Sequence, residues 1–290
     1  MILYIRQTKK IKLLYRILNI LKLEKRDNKN LIYLPMNSNT KKRKTKKVIE
    51  KLGKYLYNNN IKNVVLENDL LQKEITKNIL YSYNINILDG TKISKFLTYD
   101  VIQKIYEYKN KRIESGEITL LVNENNDINV QTIIMIAHDV KRLNIITSNL
   151  KNFREVVDYL YNEIGILIKL SNNVKTNLKS SDIIVNIDFP EETVNKLDIP
   201  NDATILNISE NINIYSKKFS GINIKSWEIM LPKGYEIEGF DKTILYEASL
   251  YEKQVSKIFE QIKIDNIKIG KLVGVNGVIN PKEFKIVKSF

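Results

Sequence analysis

Few side chains in this 290-residue sequence could do chemistry unaided. There is no cysteine, which excludes disulfides, thiolate zinc sites and thiol nucleophiles, and the single histidine, His138, excludes a multi-histidine metal centre. His138 has the titration range of a general acid or base. Its setting, Ala137-His138-Asp139, closes a helical pattern, where histidine also serves as an ordinary helix-end residue. The carboxylates say more. Asp182 and Asp188 bracket an apolar run, Ile183 to Ile187, and a carboxylate at the C-terminal end of such a strand faces the usual ligand crevice of an α/β sheet. Asp188 is therefore a candidate ligand-facing group, whereas Asp182 ends the preceding turn. Glu191 and Glu192 follow Pro190 and read as acids of a first helical turn. Gly270, Gly274 and Gly277 lack the strand-loop-helix context of a phosphate-binding loop.

The formal net charge is +14, and it is not spread evenly. Residues 1 to 54 carry 17 basic groups against only Glu24, Asp27 and Glu50, so the rest of the chain is balanced. Ile (46), Lys (40) and Asn (35) dominate the composition as a coding bias would, but bias alone would distribute its lysines along the chain. The densest cluster is Lys41-Lys42-Arg43-Lys44 with Lys46 and Lys47, near Tyr55 and Tyr57. An anionic partner at this basic N-terminus, nucleic acid included, and a solvated helix face are both compatible with it.

These groups must be positioned by regular elements. Met1 to Ile5 predicts a strand, Lys9 to Glu24 a helix with apolar residues three and four apart, and Leu31 to Leu34 a second strand. A helix from about Thr40 to Tyr57, a strand at Asn63 to Leu66, a helix from Asp69 to Tyr83 and a strand at Ile85 to Leu88 continue the alternation. Strand-helix alternation favours parallel sheets covered by helices, because each parallel strand needs a crossover. A long helical pattern, Lys92 to about Ile113, leads to a boundary at Glu114-Ser115-Gly116. Then come strands at Ile118 to Val122, Leu143 to Thr147, Ile166 to Leu170, Ile183 to Ile187 and Ala203 to Ile208, with helices Ile128 to His138 and Asn152 to Ile164 between the first three. Beyond Ser209 the pattern predicts a strand at Gly221 to Lys225, a helix from Asp241 to Ile262, and a hairpin at Lys271 to Ile279 turning on Asn276-Gly277. The expected organisation is α/β throughout: a basic N-terminal domain over 1–114, a parallel-sheet domain over 115–210, and a segment over 211–290 whose helix packs back on the first domain. No apolar run approaches the roughly 18 residues of a membrane span. The N-terminus, interrupted by Arg6, Lys9, Lys10, Lys12 and Arg16, is not a signal sequence, so a cytoplasmic protein is expected.

Three segments of the second domain, Ile145 to Gly165, Leu178 to Pro190 and Ile199 to Ser209, resemble the NAD(P)-binding Rossmann domain of the shikimate dehydrogenase and glutamyl-tRNA reductase kind. They look like its second strand with the following loop and helix, the acidic lead into its fourth strand, and its next strand after a proline turn. The resemblance spans about 90 residues. It implies a doubly wound sheet, a dinucleotide at the C-terminal strand edge, and ribose-contacting groups where this chain has Thr147, Ser148 and Asn149. The turn after the first strand would cradle the pyrophosphate, placing Asn123 and Asn125 beside it, with Asp188 across the crevice. That turn, Asn123 to Asn129, has no glycine, and Glu124 and Asp127 would repel a phosphate. The expectation is a degenerate domain with no cofactor, acting as a binding or regulatory module. An NAD(P)-dependent oxidoreductase with an atypical loop, and a nucleic-acid-associated protein using the basic N-terminus, stand as alternatives.

Overall fold

A computed structural model describes residues 2–8, 21–26, 29–173, 178, 180–208, 212–215, 219–232, 234–253, 261–262 and 264–286. The chain forms two compact units, one from Met1–Gly90 with Leu231–Ile267 and the other from Thr91–Met230 with Lys268–Phe290. Both are α/β. The expected division at 1–114, 115–210 and 211–290 differs from this one in two places, and packing accounts for both.

The first unit contains β1 (Ile2–Gln7), β2 (Lys22–Arg26), β3 (Lys29–Leu34), β4 (Asn63–Leu66) and β5 (Asn86–Leu88). Its helices are α1 (Lys42–Asn58), α2 (Asn68–Leu71) and α3 (Glu74–Ser82), joined late in the chain by a helix at Lys242–Glu252. The sheet order is β2-β3-β1-β4-β5, with all neighbours parallel except β2 against β3. Alternate β1 residues face opposite layers. Leu3 and Ile5 pack under Val48, Ile49, Leu52 and Leu56 of α1 and Leu80 of α3, whereas Ile2 and Tyr4 pack under Ile244, Leu245 and Ala248. The sequence read Lys22 to Glu24 as the end of a helix, but these residues are an edge strand. It pairs antiparallel with β3 in the register Lys22↔Tyr33 to Arg26↔Lys29, and the charged β2 is suited to an exposed edge. Residues 9–20 of that expected helix lie outside the described residues.

The second unit begins with α4 (Thr91–Phe96) and α5 (Thr98–Tyr108), the expected single helix broken at Leu97. Val101, Ile102, Ile105 and Tyr106 belong to the core of the second sheet, which is why the division falls at Gly90 rather than near Glu114. The order along the chain is then β6 (Glu117–Leu121), α6 (Asp127–Asp139), β7 (Arg142–Ile146), α7 (Leu150–Ile164), β8 (Ile168–Ser171), β9 (Ile183–Asn186), α8 (Glu191–Val194), β10 (Thr204–Asn207) and β11 (Ile222–Met230). After the excursion through α9 (Lys242–Glu252) in the first unit, β12 (Lys268–Gly274), β13 (Gly277–Val278) and α10 (Glu283–Ile286) complete it. Only Leu231–Ile267 returns to the first unit. The flanking stretches extend the second sheet because β11 pairs with β10 on one side and β12 on the other.

The second sheet runs β13-β12-β11-β10-β9-β6-β7-β8, with β6 to β11 all parallel. Read in chain order from β6, the six parallel strands lie 3-2-1-4-5-6, the arrangement of a doubly wound Rossmann sheet, in which the order reverses beside the first strand. Ile118, Leu143, Ile183 and Ile205 lie in four of these strands as expected; Ile166 precedes β8 by two residues. The closing hairpin is present, but Gly274↔Gly277 pairing makes Val275 and Asn276 its turn, one residue earlier than Asn276-Gly277, with Gly277 at φ 105°. Among the described residues, no helix is long and apolar enough to cross a membrane.

Candidate functional site

The point of reversal lies between β6 and β9, and the loops leaving the C-terminal ends of β6, β7 and β9 meet there. Asn126 starts α6 as its N-cap, with its side-chain oxygen accepting the Asn129 backbone N–H at 3.0 Å. The preceding residues are the turn that the resemblance assigns to a pyrophosphate.

Its first two backbone donors are engaged by the protein itself. Asp188, just beyond β9, accepts the Asn123 N–H on Oδ1 at 2.7 Å and the Glu124 N–H on Oδ2 at 2.8 Å. Burial, reinforced by the charge of Glu124, raises the Asp188 pKa, against the two N–H bonds and the charge of Lys95, which favour the carboxylate. Glu124 in turn lies 3.9 Å from the largely buried ammonium of Lys95.

The β7 loop is bound to the same turn. The Asn123 side-chain oxygen accepts the Ser148 backbone N–H at 2.8 Å and the Ser148 hydroxyl at 2.7 Å. Asn149 donates through Nδ2 to the Asn123 carbonyl at 3.3 Å, and its backbone N–H donates to the Thr147 hydroxyl at 3.0 Å. Asn125 donates to the Asn152 carbonyl of α7. Asn123, Thr147, Ser148, Asn149 and Asp188 thus form one hydrogen-bonded network, and Asn125 anchors the same turn to α7.

Asp182 sits at the opposite, N-terminal end of β9. It accepts Lys111 Nζ at 2.7 Å and the Glu117 N–H at 3.1 Å, while Lys109 Nζ donates to its carbonyl at 2.6 Å. Burial alone would raise its pKa, but the Lys111 hydrogen bond, the Glu117 N–H and the two lysine charges hold it below the ordinary carboxylate value. It joins the end of α5 to the sheet and takes no part in the cleft. His138 is exposed at the end of α6. Lys41, Lys42, Arg43, Lys46 and Lys47 are exposed along the start of α1, where Lys46 lies 3.8 Å from Glu50. Among the described residues no three His, Asp or Glu side chains converge as metal ligands.

Two features escaped the sequence reading. Asn129, 1% exposed, donates to the Glu124 carbonyl at 2.8 Å and so braces the turn from within α6. Asn186, Asn207 and Asn223, on adjacent strands and all buried, form a ladder: Asn207 donates to Asn223 Oδ1 at 2.7 Å, Asn223 to the Ile212 carbonyl at 2.9 Å, and Asn186 both donates to and accepts from the Phe189 backbone. The repeated tripeptides Val185-Asn186-Ile187, Leu206-Asn207-Ile208 and Ile222-Asn223-Ile224 were its signal. Asn186 and Asn207 close their strands and Asn223 opens β11, and because asparagine supplies both a donor and an acceptor it can satisfy backbone groups at such strand ends.

No protein-family model matches the chain, and no curated protein does. Among solved structures it is similar to shikimate dehydrogenase in complex with NADP+, with a TM-score of 0.35 and 9% identity, covering 99% of this chain and 93% of that one. L-tryptophan dehydrogenase from Nostoc punctiforme gives 0.34 and 11%, covering 99% and 86%, and ornithine transcarbamoylase from Giardia lamblia gives 0.28 and 13%, covering 84% and 77%. The Rossmann-like fold of the second unit stands on its own strand order.

Proposed function

We propose that this protein is a non-catalytic binding or regulatory module built on a Rossmann-like domain that has given up dinucleotide chemistry. One observation carries the reading: the Asp188 carboxylate accepts the Asn123 and Glu124 N–H groups. In a dinucleotide-binding turn such donors face the pyrophosphate. Here an internal anion already satisfies them. A pyrophosphate would have to displace Asp188 and then lie beside Glu124 and Asp127, whose charges oppose it. The residues present therefore do not fit an NAD(P) pyrophosphate. Ser148 and Asn149, the groups placed to read a ribose, are instead spent on Asn123.

Fluorescence titration with NADH and NADPH tests this. The expected result is no affinity tighter than roughly 1 mM, equivalent to about 4 kcal/mol of binding free energy. Micromolar binding would overturn the reading and favour an oxidoreductase with an atypical cofactor loop, which the 3-2-1-4-5-6 strand order supports. In that event Ser148→Ala and Asn149→Ala would weaken binding.

A further inference from the structure

The second unit contains a cavity of about 350 Å³ where β11 begins and β12 ends, with β10 and β9 lying between it and β6 in the sheet. One wall is made by Asn213, Ile214 and Phe219, which precede β11. The other is the hairpin turn at Val275 and Asn276 with Val278, Ile279 and Glu283 after it. Gly221, Gly274 and Gly277 leave stretches of the lining as bare backbone. A cavity of this volume falls in the range of small-ligand sites, and water alone would fill it with about a dozen molecules.

Both walls are held by the protein's own hydrogen bonds. Asn213 donates its N–H to Glu191 Oε2 at 2.8 Å, accepts Asn195 Nδ2 on its carbonyl at 2.8 Å, and accepts Lys225 Nζ on its side-chain oxygen at 2.6 Å. Tyr215 donates its N–H to Asn195 Oδ1 at 2.8 Å and its hydroxyl to Glu191. On the other side the Ile279 N–H donates to the Leu272 carbonyl at 2.9 Å, and a capping box closes the turn that follows. There the Lys282 N–H donates to Asn280 Oδ1 at 2.9 Å and the Asn280 N–H to Glu283 Oε1 at 2.7 Å. Walls fixed in this way keep the cavity formed without a ligand, so little ordering opposes binding.

The lining decides what fits. Glu283 is the single charged residue among the described residues that form it. Its Oε2 has no partner among the described residues, and neither has the Asn276 carboxamide; both residues are exposed to the opening. Lys225 is engaged by Asn213 and is not part of the lining. A carboxylate only accepts hydrogen bonds, so it favours a ligand that donates and opposes an anion. Much of the remaining lining is apolar: Ile214, Phe219, Ile222 and Ile279, with Val275 and Val278 left 63% and 60% exposed at the rim. An apolar body entering the cavity would remove such surface from water. We infer that this cavity binds a small organic cation, an ammonium carried on an apolar body, with Glu283 receiving the ammonium. The inference does not rest on the reading of the β6 turn, and no nicotinamide nucleotide enters its test.

The test is calorimetric titration of the full chain with 2-phenylethylamine, 2-phenylethanol and phenylacetate, which share a phenyl body and are cationic, neutral and anionic at neutral pH. The expected order of affinity is amine, alcohol, carboxylate. The amine should lead the alcohol by about three- to fivefold, the worth of one exposed ion pair, and the margin should shrink as salt rises. Glu283→Gln keeps an oxygen for the Asn280 N–H, as glutamine does in a capping box, and should abolish that margin while leaving alcohol affinity unchanged. Val278→Lys, at an exposed position, should narrow the gap between amine and carboxylate by about threefold. Failure of the amine to bind at roughly 10 mM, a weak affinity even for a ligand of this size, would overturn the inference. So would tightest binding by phenylacetate, equal affinity for amine and alcohol in the unaltered protein, or an amine margin that survives in Glu283→Gln.

Discussion

Replacing Asp188 separates two roles of its carboxylate, as hydrogen-bond acceptor and as buried charge. Asp188→Ala removes both acceptors, leaving the Asn123 N–H in a half-buried position and the Glu124 N–H in an exposed one that water can reach. Counting only the first, the loss is about 1–3 kcal/mol. Asp188→Asn keeps one carbonyl oxygen for that donor and removes a charge that burial and Glu124 disfavour, so it should cost less than about 1 kcal/mol. The pH dependence has a definite sign. Because the folded-state pKa is raised, the folded protein binds more protons than the unfolded one just above the ordinary carboxylate range. The stability this group contributes is therefore greatest at low pH and falls as pH rises through its raised folded pKa, and Asp188→Asn, which cannot titrate, escapes that fall. Trp227, the sole tryptophan, lies on β11 against the second unit's core and reports that unit's unfolding. Urea titrations at pH 4 and pH 7 should place the midpoints in the order wild type or Asp188→Asn first and Asp188→Ala last, with Asp188→Asn gaining on wild type at pH 7. An Asp188→Ala midpoint equal to wild type would refute the role of Asp188 as the acceptor holding the turn. A wild type that gains on Asp188→Asn at pH 7 would refute the assigned charge balance.

Lys111→Met should destabilise the second unit at neutral pH and converge with wild type on acidification. The depressed Asp182 pKa contributes stability that is complete above the ordinary carboxylate value and lost as pH falls through the folded one; Trp227 fluorescence at pH 7 and pH 3 would check this. Gly116→Ala should cost about 1–3 kcal/mol, because the new Cβ would meet the buried Tyr106 hydroxyl oxygen at 2.1 Å. Tyr106→Phe removes that oxygen, which has no partner among the described residues, so by itself it should be neutral or stabilising, and the double variant should recover part of the Gly116→Ala loss. Strict additivity in that thermal-denaturation cycle would show that the contact is relieved by movement elsewhere.

What local pattern could encode, the sequence carried. Apolar runs such as Ile183 to Ile187 and the three-and-four spacing of α7 reflect burial on a sheet or a helix face, so the strand and helix alternation was legible without coordinates, and the doubly wound second sheet followed from the resemblance of three segments to a Rossmann domain. The glycine-free turn and its acids were equally plain. The first misreading came at Lys22 to Glu24, where an amphipathic helix and a charged edge strand share composition and only pairing with β3 distinguishes them. The unit boundary was hidden for a related reason: the apolar stripe of α5 shows that it is buried, but not against which sheet. The site depended on tertiary structure still more. Asp188 lies more than sixty residues from Asn123, and nothing local reveals that its carboxylate turns inward to the β6 turn rather than outward to a ligand. Only the pairing of β6 with β9 brings that carboxylate to the N–H groups of the turn, and that is decided by contacts between elements far apart in the chain.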